Sequence, residues 1–321
     1  MKTAADMRSW QGRIDAEEGA MGRRWHQAMQ PIEQVSQPAL ALLGFACDAG
    51  VARNHGRVGA RHGPVALRSA MCNLPLYGDL NLADAGDVHC IASELGDGLE
   101  NVQQELAGAV TALLAGGHRP IVLGGGHEMA FGTYTGLAEF LIGQSAAPRI
   151  GVCNLDAHFD LRASASASSG TPFRQIAQDC QRRGWPFHYA CLGVSRFANT
   201  QALFDRAATL GAHWLLDEQM TAANAAQTAA LVTQFLAGID YLYLTICLDV
   251  LPAAVAPGVS APAARGVTLE VIEPLIDLLA ASGKLRVADI AELNPQYDID
   301  QRTARVGARL VARLAQGWSA T

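Results

Sequence analysis

RIGVCNLDAHFD, residues 149–160, is the stretch on which the reading of this chain turns. Its first seven residues are an apolar run of strand length. Its last five present Asp156, His158 and Asp160 at alternate positions. A short, nearly continuous apolar run fits a strand buried on both faces, as in a parallel sheet. Three potential metal ligands directly after it fit a site at the strand's carboxyl end. Carboxylate oxygens with a single imidazole suit Mn²⁺ better than Zn²⁺, which favours nitrogen and sulfur. A solvated turn rich in Asp and His would have the same composition, so the motif has to be weighed with its neighbours.

Working outward, apolar runs and helical patterns alternate. Strands are expected over 39–46, 81–88, 119–123, 187–194, 213–216, 241–248 and 285–291. Helices are expected over 64–71, which has Pro64 at a first-turn position, and over 99–115, 129–142, 200–210, 222–237, 268–281 and 300–315. The segment ASASASSG (163–170) is small, polar and flexible. No repeat or biased linker divides the chain. The expectation is an α/β protein, a three-layer αβα sandwich around a mainly parallel sheet. Residues 1–35 form an N-terminal extension packed on a single catalytic domain, 36–321.

Bulk properties exclude several classes. The 321 residues carry a net charge of -6, with a pI of about 5.8, which argues against nucleic-acid or anionic-membrane partners. The arginine pairs Arg23-Arg24 and Arg182-Arg183 read as solvated helix surface. No apolar run is long and clean enough to span a membrane. The first 25 residues scatter charge throughout and do not read as a secretory signal. Seven cysteines without a CxxC pair fit a reducing cytoplasm. A homo-oligomer is expected.

Three further polar clusters follow apolar strands. GGGHE (124–128) follows the strand at 119–123. Glycines let the backbone approach a site closely, and His127 is offered there; a tight turn with an incidental His is the plainer reading. Asp249 follows YLYLTICL, where a lone buried carboxylate is costly. Cys247 lies two residues upstream on the same strand face, or is simply a small buried hydrophobe. Glu292 opens ELNP after the strand at 285–291. It either caps a helix or, near a metal pair, binds a cationic amidinium in a two-pronged contact. Parallel sheets place sites beyond the carboxyl ends of their strands, so all four clusters should meet at one rim.

In order and spacing, these clusters resemble the arginase/agmatinase ureohydrolases. The likeness runs from about residue 44 to 313 through GRVGARHGPVALR (56–68), ADAGDV (83–88), GGGHE, NLDAHFDLR (154–162), SSGTPF (168–173), TICLDVLP (245–252) and AELNP (291–295). The resemblance implies an arginase-like αβα fold and two Mn²⁺ ions. They share a hydroxide that attacks a trigonal amidine or guanidine carbon. It implies His127 and Asp160 on one ion, His158 on the other and Asp156 bridging both. Cys247 and Asp249 fall at the two later ligand positions, and Glu292 falls where the family holds the amidinium. Two departures stand out. The family usually has Asp in place of Cys247, and His in place of Ser169.

Other details resemble the formimidoylglutamase branch: WQGRIDAEEG (10–19), NHGRVGARHGP (54–64), SSGTPF, LGVSRFANT (192–200) and DVLPAAVAPGVSAPA (249–263). That implies an amidine substrate with two carboxylates. Arg57 and Arg196 are the expected carboxylate clamps, supported by Asn54 and Asn199; a surface salt bridge is the alternative for each arginine. Two other outcomes stay open. One is a different ureohydrolase, such as an agmatinase or guanidino-acid hydrolase. The other is a metal-binding homologue that has lost activity.

Overall fold

A computed structural model describes residues 1–92, 96–145 and 147–319. Ten strands form one sheet: β1 (Lys2–Thr3), β2 (Met29–Pro31), β3 (Leu40–Ala46), β4 (Leu82–His89), β5 (Arg119–Leu123), β6 (Ile150–Leu155), β7 (His188–Val194), β8 (His213–Leu216), β9 (Tyr241–Cys247) and β10 (Leu285–Ala291). Their order is β1-β4-β3-β5-β10-β9-β6-β7-β8, with β2 also paired to β4. Only the β1–β4 pairing is antiparallel.

Side chains alternate between the two faces, as the strand period demands. Leu242, Leu244 and Ile246 of β9 join one apolar core and Tyr243 the other. In β3, Leu40 and Leu42 face the first core, while Ala41, Leu43 and Phe45 face the second. Helices therefore cover both faces, and the expected three-layer αβα architecture is present.

The elements expected from periodicity are found to within two residues at most ends; the last helix runs on, as Arg302–Ser319. Several features differ, among them a short helix after β3, Ala49–Arg53. Residues 172–183 form a helix (Pro172–Arg183) that the apolar runs do not mark. Its buried Phe173, Ile176, Ala177 and Cys180 have helical spacing, but they are diluted among Arg, Gln and Asp. The segment expected as one helix over 222–237 begins as a 3₁₀ turn, Ala222–Asn224. Residues 1–35 add β1 and β2 to the outer edge of β4.

A buried ion network fastens the helix Gly63–Met71 to β4. Arg68 donates from Nε and Nη2 to Asp84 (2.8 and 2.9 Å) and from Nη1 to Asp87 (2.6 Å). Trp10 Nε1 donates to Asp84 Oδ2 at 2.7 Å, which ties the N-terminal segment to the same carboxylate. Two of the sequence blocks, 56–68 and 83–88, thus meet in one structural joint.

Candidate metal centre

The register of the central strands sets the site. Leu123 of β5 pairs with Ile290 of β10, Ala291 of β10 with Cys247 of β9, and Leu155 of β6 with Ile246 of β9. The residues that follow therefore leave the sheet at one rim. The GGG turn crosses the end of β3 in contact with its backbone: Gly125 N–H donates to Phe45 O and Gly126 N–H to Cys47 O, both at 2.9 Å. A Cβ on Gly125 would sit 2.0 Å from Cys47 O, so no larger residue fits.

His127 is delivered by that turn. Its Nε2 lies 2.9 Å from Thr245 Oγ1, and its Nδ1 is 3.1 Å from both Asp156 Oδ2 and Asp160 Oδ2. Nδ1 is buried without a hydrogen bond, an arrangement that suits a shared cation between the three atoms. Asp156 Oδ2 also accepts from Asn154 Nδ2 (3.0 Å), and its Oδ1 from the His158 N–H (2.7 Å). His158 Nδ1 lies 3.4 Å from Asp156 Oδ1 and 3.3 Å from Asp249 Oδ2. Two potential ligand groups result, His127–Asp156–Cys247 and Asp156–His158–Asp249, with donor atoms within 4.8 Å in each. Asp156 belongs to both. The donor set and the unpartnered Nδ1 fit two metal ions.

Electrostatics agree. Burial disfavours charge on His127, yet Asp156 and Asp160 raise its pKa well above the usual histidine value. Burial likewise opposes charge on His158, and Asp249 and Asp156 outweigh it. The cluster therefore favours positive charge at its centre, as proton or as metal. Burial raises the pKa of Asp160 and of Asp249, and the neighbouring Asp156 adds to both shifts. Asp160 and Glu292 adopt φ of +47° and +71°, a left-handed conformation uncommon for these residues and frequent at functional sites.

Glu292 Oε1 accepts the His127 N–H at 2.8 Å, while Oε2 is buried without a partner. Burial, then Glu128, pushes its pKa up to about 8. It stands beside the ligand groups, with one oxygen waiting for a donor. Asn294, two residues on, donates to the carbonyls of Arg57 (2.9 Å) and Val58 (3.0 Å), holding the 54–59 loop at the rim.

His127, His158, Asp160, Cys247, Asp249 and Glu292 line a cavity of about 310 Å³ that also exposes Asn54, Arg57, Arg162, Ser169 and Asn199. The four expected substrate residues separate here. Asn54 faces the cavity. Arg57 does too, but its Nε and Nη2 already donate to the carbonyls of Ser260 and Val259, and its guanidinium stacks over Tyr297 at 4.1 Å. The Nε–Nη2 edge is in use, so Arg57 fastens the loop beyond β9. Asn199 is likewise engaged, accepting from Phe159 N–H and donating to Ala157 O and Ser195 O. It shapes the ligand loop. Arg196 is exposed and outside the cavity lining, because the turn after β7 carries it outward.

Arg162 is a cavity residue that the sequence motifs alone do not single out. It continues the alternation 156, 158, 160, and that is the signal that could have found it. Its side chain crosses Gly170, where a Cβ would lie 2.7 Å from Arg162 Cδ. Among the described residues no acidic partner is paired with it. Along the same chain, no described helix is long and apolar enough to cross a membrane.

The arginase family model matches residues 38–316. A formimidoylglutamase of Ralstonia nicotianae is 60% identical over 320 residues, covering 99% of this chain and 97% of that protein. One from Aromatoleum aromaticum is 52% identical over 319 residues, covering 98% and 94%. Among solved structures, a variant of Trypanosoma cruzi formiminoglutamase with manganese matches with a TM-score of 0.75 at 25% identity, over 90% of this chain and 96% of that one. The formimidoylglutamase of Bacillus subtilis matches with a TM-score of 0.84 at 19% identity, over 97% and 95%, a likeness of fold.

Proposed function

The chain belongs to the arginase family, and from that premise we propose that it hydrolyses N-formimidoyl-L-glutamate to L-glutamate and formamide, in histidine degradation, with two manganese ions. The observation that carries the proposal is one cavity lined by His127, His158, Cys247 and Asp249, whose ligand groups share the buried Asp156, with an unpaired carboxylate oxygen on Glu292 beside them and, on its wall, the Arg162 guanidinium, which has no acidic partner among the described residues. A substrate with an amidinium at one end and carboxylates at the other matches that order of charges. Relatives at up to 60% identity bearing the name formimidoylglutamase support the same substrate.

His127, Asp156, Asp160, His158, Asp249 and Cys247 hold the metals in this reading. Manganese bound there supplies water activation near neutral pH and stabilises charge on the reacting carbon's substituents. The protein's own part is positioning. Glu292 accepts the amidinium on Oε2, which restores the charge that burial otherwise disfavours. Arg162 takes a carboxylate in a charge-assisted contact, with Asn54 close by. Water adds to the formimidoyl carbon, the bond to the glutamate nitrogen breaks, and that nitrogen leaves with a proton as the amine. A cytoplasmic location and a homo-oligomeric assembly belong to the same reading.

The test is release of formamide and glutamate from formimidoylglutamate with added Mn²⁺, beside agmatine and guanidino acids. Arg162→Ala should raise KM about tenfold or more, as expected when a charged hydrogen-bond partner worth about 1.5–3 kcal/mol is lost. Faster turnover of agmatine, which has no carboxylate, would assign the chain to another ureohydrolase.

A further inference from the structure

At the opposite end of the sheet, the amino ends of β5, β10 and β9 frame a second cavity of about 460 Å³. Arg119 and Arg286 both line it, with His118, Tyr241 and Trp318. Both arginines are half-buried. Arg119 donates through Nη1 to Trp318 O and stands over the Trp318 ring. Arg286 donates through Nη1 to the carbonyls of Gly283 and Leu285, each at 3.2 Å, and lies 5.5 Å from the Tyr241 ring. Among the described residues, their remaining guanidinium donors find no hydrogen-bond acceptor and neither arginine has a salt bridge. Among the described residues, too, no Asp or Glu lines this cavity.

That placement is uphill for the protein alone. Two guanidiniums are brought together and partly dried without a counter-charge among the described residues, which raises their mutual repulsion. Burial, and then Arg286, lowers the pKa of Arg119. The buried Arg68 is treated differently, since two aspartates meet it. His118 adds a third donor. Its Nδ1 accepts the Ala39 N–H at 3.3 Å, so in the neutral ring Nε2 carries the proton.

We infer that this cavity is a binding site for a small, doubly charged oxyanion, a phosphate or a dicarboxylate, gripped between Arg119 and Arg286. Guanidinium forks match both chemistries, and the flanking rings give the site apolar walls. The site lies six residues of β10 from Glu292, roughly 20 Å at about 3.3 Å per strand residue. It is thus separate from the candidate metal centre and independent of the proposed reaction.

The experiment is thermal unfolding of the manganese-loaded full chain in chloride, inorganic phosphate and succinate at equal ionic strength. A ligand that binds only the folded state raises Tm saturably. Wild type should gain a few degrees in phosphate or succinate over chloride, and the more effective salt identifies the source chemistry. Arg286→Gln should lose that gain while unfolding in chloride no lower than wild type, since the repulsion between the guanidiniums is relieved. Arg286→Lys, which keeps the charge and loses the fork, should retain a smaller gain. An anion acting at the metals would stabilise wild type and Arg286→Gln alike. That result, or no gain in wild type, would overturn the inference.

Discussion

Arg68 and Asp156 are both charged, both buried and both fixed by strands of one sheet, yet their surroundings differ in kind. Arg68 spends its donors on Asp84, Asp87 and Gly86 O, and Asp84 also receives Trp10 and the Gly86 N–H. Around Asp156 the pairing stops short. His127 Nδ1, Asp249 Oδ1 and Glu292 Oε2 are buried without hydrogen bonds, and all three residues line one cavity. Buried polar atoms left open cost about 1–3 kcal/mol each. The fold satisfies one charged cluster and leaves the other incomplete, and that deficit lies at the candidate metal centre.

The sharpest way to break the comparison is at Asp156, the residue common to both ligand groups. Asp156→Ala should abolish metal binding and turnover together, read by metal analysis after dialysis and by product release. A metal-free variant that stays fully active would remove the metal mechanism. Glu292→Gln comes next. It should keep both metals and lose about 10²–10³-fold in kcat, the size typical for removing one electrostatic partner of the transition state. Metal loss in that variant would make Glu292 a ligand instead.

The other cluster should answer in stability. Arg68→Ala removes the counter-charge of the buried Asp84 and the half-buried Asp87 and should cost about 3–5 kcal/mol in urea unfolding, with kcat/KM per folded molecule unchanged. An equal loss of catalytic efficiency would mean that the two clusters are coupled through the sheet.

Legibility in the sequence divides along the same line. Candidate ligands at alternate positions after strands are written locally, so the order of residues alone points to 156, 158, 160, 247 and 249, which the fold gathers at one rim. Burial on both faces is equally plain in runs such as YLYLTICL. The polar helix Pro172–Arg183 is hidden because few of its residues are apolar. The candidate substrate wall is harder still, because it depends on which donors remain free after folding. Arg57 and Asn199 have the right chemistry, but each is held by groups that folding brings to it. Arg162 has no acidic partner among the described residues, a fact that no local pattern contains.

The finest test concerns Cys247, the one soft donor in a hard set. The residue is buried, and it shares a potential ligand group with His127 and Asp156. Burial, with Asp156 next, raises the pKa of its thiol well above the ordinary value. A dication beside it would favour thiolate instead. Thiolate suits zinc better than manganese, and it offers one donor atom where a carboxylate offers two. One manganese should therefore be held less tightly than the other, with zinc competing for it. Cys247→Asp should raise manganese content toward two per chain and reduce inactivation by peroxide, with only a modest change in kcat once metal is saturating. Wild type and variant dialysed side by side decide the matter. Identical manganese content and identical peroxide sensitivity would make Cys247 a packing residue, and Asp249 would then serve the site from that strand end alone.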